Sequence, residues 1–572
     1  MMDETFFTRP THPWQKRYEA LRASFVERVP ARAVAERFGY TVQYVHLLRH
    51  NFKKGRIDFR QLAPEGETKW WRVTAEVRQK ICEWRGHRLS AREIAQLLDE
   101  EGFDISVRTV ERVLADEGFG KLPRRTRLKI ELTVKGARVP ERSEAIDIGT
   151  VQGKRFDCAA AGVFLFAPFL AKLDVAGVVR SAGLPGTKSI PAVSYFLSFL
   201  AAKLLGVAKH SHIDDHAFDP GLGLFAGLNV LPKCTAMSTY SYSLDEVHLS
   251  RLQKAFVRQV SKLGLYDGKI VNLDFHTVPH YGDESVLETH WASGRGKRMK
   301  GALTLFAQDA RSKLILYTAA DIKRCESDEQ VLEFLRHWRR VQRGVKPTFV
   351  FDAKFTSHRR LAELHRQGVK FITLRRRGKR LLESVETMGP WKGIHVPHAK
   401  RKYPNLQVFE SLTTLRDYPE EIRQVVLRGN AREKPAFIIT NDLHSPVELV
   451  VADYTGRWRV ENGIAEAVKF FHLNALSSPI LVKVHFDVVT TMIADTLYSM
   501  LAGHLRGFED CDAPKLYRHF VRGKGVVEVR GSRLTVIYPR RAHNPILRNV
   551  LWNKLPMTLP GIKQVKLTFK FP

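Results

Sequence analysis

Apolar residues recur at helical spacing through residues 14–117, and two stretches there have the form of paired helices. In residues 31–52, Val34, Ala35 and Phe38 line one helix face, Gly39 permits a sharp turn, and Val42, Val45 and Leu48 line the next. In residues 89–119, Ser90 and Glu93 form a capping box ahead of Ile94, Leu97 and Leu98. Ser106 can cap a following helix that turns Val107, Val110, Val113 and Leu114 inward. Arg108, Thr109, Glu111 and Arg112 then face outward, where a recognition helix meets base edges. Each pair reads either as a helix-turn-helix unit or as a plain helical hairpin. Residues 121–143 are basic and hold two prolines, the pattern of a linker able to follow a phosphate backbone.

Residues 146–265 read as mostly helical. The apolar runs 158–170 and 192–205 are too short or too interrupted, by Pro168 and Lys203, to span a membrane, and they predict buried helices. The cluster His210, His212, Asp214, Asp215 and His216 is too crowded for a standard tetrahedral metal site and reads as a polar loop. From 268 the period changes to two. A strand (268–279), a hairpin turned at Asp309–Ser312, a helix (327–344), a strand (346–355), a helix (357–368) and a strand (369–378) follow in order. That is the order of a ribonuclease-H-like α/β fold. Polar pieces punctuated by Pro and Gly at 376–435 predict a β-rich insertion. A strand at 436–442 and a long helical region to 473 complete the core, whose last part runs 436–510, and 511–572 form a tail with one hairpin.

Charge sharpens this picture. The 572 residues carry 92 Lys plus Arg against 60 Asp plus Glu, a formal net charge of +32, which points to a polyanionic partner such as double-stranded DNA. The apolar fraction of 44% excludes a disordered chain. Five scattered cysteines without a Cys-x-x-Cys pair argue against a zinc module or a disulfide framework and fit a reducing cytoplasm. The first residues lack the apolar segment of a signal peptide.

Alternation along 270–278 puts Val271, Leu273 and Phe275 on one strand face and Asn272, Asp274 and His276 on the other. In 348–353, Phe349, Phe351 and Ala353 oppose Asp352. A lone strand aspartate is compatible with a solvent-facing end. Two of them on strands in this order point to a shared divalent-metal site. On the later helix Tyr454, Arg457 and Glu461 share nearly one face, which alone is also the pattern of an ordinary Arg–Glu pair, and Glu466 is a nearby rival acid.

These residues resemble the DDE transposases of bacterial insertion sequences. VNLDFHTVP is similar to the strand of their first aspartate and FVFDAKF to that of the second. YTGRWRVENGIAEAVK resembles the Tyr-x2-Arg-x3-Glu-x6-Lys signature of the subgroup with a β-rich insertion, and FAGLNVLPKCTAMSTYSYSLDEVH the segment preceding the first aspartate. The match covers about 145–505. It departs at the signature lysine, where Val468 stands and Lys469 follows; His472 is a competitor for that role.

The resemblance implies a metal-dependent enzyme that cuts DNA ends and joins them to a target. Asp274, Asp352 and Glu461 would hold two Mg²⁺ ions, with Mn²⁺ as a substitute, about 3.5–4 Å apart. Tyr454, Arg457 and Lys469 would position phosphate. A homodimer on DNA, at the bacterial nucleoid and with no membrane partner, goes with that family. Basic runs at 293–300 (Arg295, Lys297, Arg298), 374–380 (Arg375, Arg376, Arg377) and 398–404 read as DNA contacts or as solvated loops. Trp391 fits the packed core of the insertion, with stacking on an extruded base as the alternative. Two other functions fit the same charge and helices: a DNA-binding regulator with an inert nuclease-like domain, and a nuclease that hydrolyses without rejoining.

Overall fold

The computed structural model describes residues 13–54, 57, 73–86, 89–119, 141–216, 218–281, 287–292, 296–320, 322–342, 344–396, 405–429, 434–475 and 480–572. The basic linker up to residue 140, Arg295 and the basic run 398–404 lie outside the described residues. The chain forms two compact units, Met1–Val139 and Pro140–Pro572.

The first unit is helical. Helix Ala31–Phe38 ends at Gly39, whose φ of 61° is the left-handed conformation that glycine adopts without steric cost, and helix Val42–Lys53 follows at once. Val34, Ala35, Phe38, Val45 and Leu48 pack with Ala20, Leu21 and Ala23 of helix Pro13–Phe25. A second cluster joins Ile94 and Leu98 of helix Ala91–Glu100 to Val110, Val113 and Leu114 of helix Val107–Asp116 and to Val77 and Ile81 before them. The Ser90–Glu93 capping box forms, and Ser106 accepts from the Thr109 amide. Val42 and Val107 depart from the expected inward stripe and are exposed. Each is the first residue of its helix, beyond the reach of the neighbouring helix.

The second unit holds two sheets. Its strands are β1 (Arg155–Cys158), β2 (Ile270–Pro279), β3 (Thr289–Ala292), β4 (Lys297–Asp309), β5 (Ile315–Ala319), β6 (Thr348–Phe351), β7 (Lys370–Leu374), β8 (Lys392–His395), β9 (Asn405–Thr413), β10 (Ile422–Arg428), β11 (Ala436–Thr440), β12 (Gly525–Arg530), β13 (Arg533–Ile537), β14 (Thr558–Leu559) and β15 (Ile562–Lys570). The large mixed sheet runs β3-β4-β2-β6-β7-β11-β10-β9-β8, with β5 also on β4. Strands β2, β6 and β7 are mutually parallel, and the other neighbours pair antiparallel. Parallel pairing needs crossovers. Helix Gln330–Val341 precedes β6, and helix His358–Arg366 joins β6 to β7. Phe349 packs on Phe334 of the first of these helices (ring centroids 5.1 Å apart). On the opposite face Val350 and Ile372 pack against Val447, Val450 and Val451 of helix Val447–Gly456.

Strands β8, β9 and β10, within the segment expected as an insertion, continue the large sheet. The strand β3 was not anticipated, and the basic run at 293–300 enters β4 at Lys297. The polar stretch His210–His216 is a short 3₁₀ helix rather than a loop, and its Asp214 accepts from the Cys234 amide at the start of helix Cys234–Tyr240. The tail adds a second sheet, β1-β12-β13-β15-β14, in which β12 pairs with β1.

The apolar runs are buried, as Phe164, Phe166, Phe169, Phe196 and Leu200 show no exposure. Pro168 sits in the first turn of helix Ala167–Lys172, where a missing N–H costs nothing. Among the described residues no single helix is long and apolar enough to cross a membrane; the bent pair Ala161–Lys172 and Val175–Ala182 has the composition, and its apolar side chains are packed in the core. All five cysteines are free thiols.

Candidate active site

The parallel ladder between β2 and β6 matches Asn272 with Val350 and Leu273 with Phe351. The next residues along each strand are Asp274 and Asp352. They are close enough for the Asp352 charge to act on Asp274. Each aspartate accepts from the amide that follows it, Asp274 from Phe275 at 2.9 Å and Asp352 from Ala353 at 2.7 Å.

The third acid arrives from a later helix. The long helical region is two helices, Val447–Gly456 and Trp458–Lys469, meeting at Arg457. Arg457 keeps helical dihedrals, so Tyr454, Arg457 and Glu461 stay on one side. The guanidinium lies 3.7 Å from Asp274 and 2.7 Å from Glu461, and 6.0 Å from the centre of the Tyr454 ring. One partly buried cation therefore ties the first aspartate to the helix glutamate.

Electrostatics reflect this crowding. Burial pushes the Asp274 carboxyl up to about 6. Arg457 and the Phe275 amide pull it down, and Glu461 and Asp352 push it up. Burial of Arg457 opposes its charge, but Tyr454, Asp274 and Glu461 more than offset this and hold it above its ordinary value. Arg457 Nε is buried without an acceptor. Glu461 is half exposed, and among the described residues its ion-pair partner is Arg457. No three His, Cys, Asp or Glu side chains among the described residues stand close enough together to hold a metal. Asp274 and Asp352 lie at the ends of neighbouring strands, and the Arg457 guanidinium stands between Asp274 and the helix residue Glu461.

The remaining polar side chains of β2 are also buried. His276 bonds Asn474 at 2.8 Å, and burial lowers its pKa. Asn272 is fully buried with neither amide atom paired, opposite Gln308 of β4, whose Oε1 is also orphaned. Gln308 was not singled out in the sequence, although a glutamine directly after the mostly apolar run ALTLFA was a visible signal.

Lys469 is exposed in the last turn of its helix. His472 does not continue the carboxylate face, because the helix stops at Lys469 and His472 has a φ of 54°. Glu466 accepts from the Ala513 amide and, with Asp495, lines a separate cavity of about 470 Å³. Arg108 and Arg112 are at the surface of their helix, and the Thr109 hydroxyl is 2.9 Å from that of Ser106. Lys297 and Arg298 are exposed on β4. Arg375 turns inward to Thr413 and Gln424, whereas Arg376 and Arg377 are exposed. Trp391 donates to the Met388 carbonyl, packs near Phe409, and carries the Arg428 guanidinium 4.0 Å above its ring.

The second acidic pair makes a pH test. Asp495 is mostly buried and faces the cavity. That burial, with Glu466 alongside, raises its pKa to about 8. A carboxyl raised in the folded state contributes stability that is complete below its unfolded pKa and is lost as pH rises through about 8. Asp495→Asn is therefore expected to gain on the parent protein between pH 5 and pH 9, by on the order of a few kcal/mol. Urea titrations of both proteins at the two pH values measure this, and an unchanged difference would refute it.

No curated protein matches the chain. Residues 262–497, which contain Asp274, Asp352, Arg457 and Glu461, match the family model described as Transposase DDE domain. Residues 262–497 are thus similar to a transposase DDE domain, the family whose motifs the sequence resembles.

Proposed function

We propose that the protein binds the ends of an insertion sequence, cleaves them, and joins the freed 3′ ends to target DNA, using Asp274, Asp352 and Glu461 as its catalytic acids. The observation that carries this reading is the pairing of the two aspartates at neighbouring register positions of β2 and β6, with Arg457 linking Asp274 to Glu461. The strand order β5-β4-β2-β6-β7, antiparallel and then parallel, supports a ribonuclease-H-like core.

The donor set fits hard divalent cations. All three side chains offer carboxylate oxygens, the ligands that hard divalent cations prefer. Asp274, Asp352 and Glu461 would hold Mg²⁺ or Mn²⁺, which supplies Lewis-acid activation of the attacking oxygen and stabilisation of the leaving one. Glu461 can leave Arg457 for that role without breaking a buried contact, because its side chain is half exposed.

Arg457 then has donors free for a phosphate, and its buried stem fixes their direction. Tyr454 beside it orients the guanidinium, and exposed Lys469 meets DNA farther along the helix. Water attacks at the element end and releases a 3′ hydroxyl; that hydroxyl attacks the target strand in a second in-line displacement. Neither step requires a covalent bond to the protein.

The tandem hairpins of the first unit are read as helix-turn-helix units, with Arg108 and Arg112 toward base edges. Lys297, Arg298, Arg376 and Arg377 add phosphate contacts, and the high net charge supports DNA as the partner. Two ends must be brought together, which favours a dimer on DNA, working in the cytoplasm. A strand-transfer assay on end-containing DNA with Mg²⁺ tests the whole reading: joined products are expected. Nicks without joined product would make the protein a hydrolytic nuclease, and binding without nicks a regulator.

A further inference from the structure

On the other face of the β6–β7 edge lies a pocket of about 420 Å³ that the chemistry above does not use. Its wall includes Lys354, Ser357, His358, Thr373 and Arg376. Lys354 and Arg376 are exposed cations at its rim. Helix His358–Arg366 starts in this wall, and its cap residue Ser357 gives no side-chain bond to the helix, because that hydroxyl is spent on Asp328. The first N–H groups of such a helix lack intrahelical acceptors and carry the positive end of the helix dipole. A second observation is independent of the helix. Thr373 is only 3% exposed, lines the pocket, and its hydroxyl has no hydrogen-bond partner.

A buried hydroxyl without a partner is costly unless a ligand completes it. Cations, helix N–H groups and a hydroxyl facing one cavity are the donor set for a tetrahedral oxyanion. The one carboxylate in the wall, Asp328, is already engaged by Ser357 and lies 3.8 Å from Arg360, so it does not oppose an anion unscreened.

We infer that this pocket binds a phosphate group, with Lys354, Arg376, the start of helix His358–Arg366 and the Thr373 hydroxyl as its donors. The pocket argument stands on these residues alone; that the phosphate belongs to a DNA backbone rests on the transposase reading. Lys354 is two residues beyond Asp352, which ties this loop to the strand that carries the second aspartate.

The test uses the full chain in two arms. In the first, binding to a labelled 30-base-pair duplex is followed against salt. Lys354→Ala is expected to reduce the slope of log affinity against log salt by about one. Thr373→Val is expected to keep the slope and weaken binding by about fivefold, and Thr373→Ser to restore it, which separates ligand binding from a folding defect. In the second arm, inorganic phosphate at matched ionic strength is expected to raise the Tm of the parent protein but not of the Lys354→Ala, Thr373→Val double variant. A response to inorganic phosphate alone assigns the pocket to free phosphate groups. No response in either arm overturns the inference. Failure of the transposase reading shows separately, as Asp274→Asn retaining full DNA cleavage.

Discussion

Changing Asp274, Asp352 or Glu461 to alanine, one at a time, is expected to cut DNA cleavage by at least about a thousandfold, or about 4 kcal/mol of barrier. Binding to the element ends is expected to stay within about threefold, because the cations proposed to position duplex DNA lie elsewhere in the chain. The two aspartates directly follow the last matched pair of the β2–β6 ladder, and Arg457 links the glutamate to Asp274, so each acid is expected to matter on the proposed reading. Removing Glu461 also leaves Arg457 with Asp274 as its remaining carboxylate. That variant should therefore keep its fold and lose only turnover. Plasmid cleavage and gel-shift assays on the same preparations make the measurement. Equal loss of binding in all three variants would show that the acids serve structure or assembly rather than chemistry.

Gly162→Ala should be the most damaging single-methyl change in the second unit. Gly162 lies in the 3₁₀ helix Ala161–Phe166, where a Cβ would stand 1.9 Å from the Val521 carbonyl oxygen. Both partners are backbone in a fully buried region, so relief requires moving one chain segment away from the other. Overpacking of this kind costs about 3 kcal/mol or more. An earlier urea midpoint at unchanged slope is expected. Gly393→Ala, where no atom lies within 4 Å of the added carbon, is the control and should change stability by no more than about 0.5 kcal/mol. Equal midpoints for the two variants would show that the contact is not rigid.

What the sequence disclosed follows from how local each feature is. The aspartate strands were legible because alternation is a two-residue property, and Leu273 and Phe351 mark the buried face on either side of the acids. The Ser90 capping box was legible for the same reason. Tyr454, Arg457 and Glu461 could be placed on one face from helical period alone. The period also misled: it was extended through His472, although the helix ends at Lys469. Contacts between distant segments left no local trace. Nothing near Arg155 signals that its strand pairs with Glu528, nor does the buried pair of Lys203 and Asp487 announce itself from either end. The pocket behind Asp352 was hidden likewise, since Thr373 reads as an ordinary strand threonine until its missing partner is seen.

The pairing of β1 with β12 has a consequence for synthesis. Residues 155–158 leave the ribosome long before residues 525–530 exist, and until then that edge and the apolar helices beside it have no permanent cover. The helical hairpins at the front can already be finished objects while the DDE domain waits. On the proposed reading a nascent chain grips DNA well before it is able to cut, and premature stops after about residue 500 are expected to yield products that bind DNA but aggregate and do not cut.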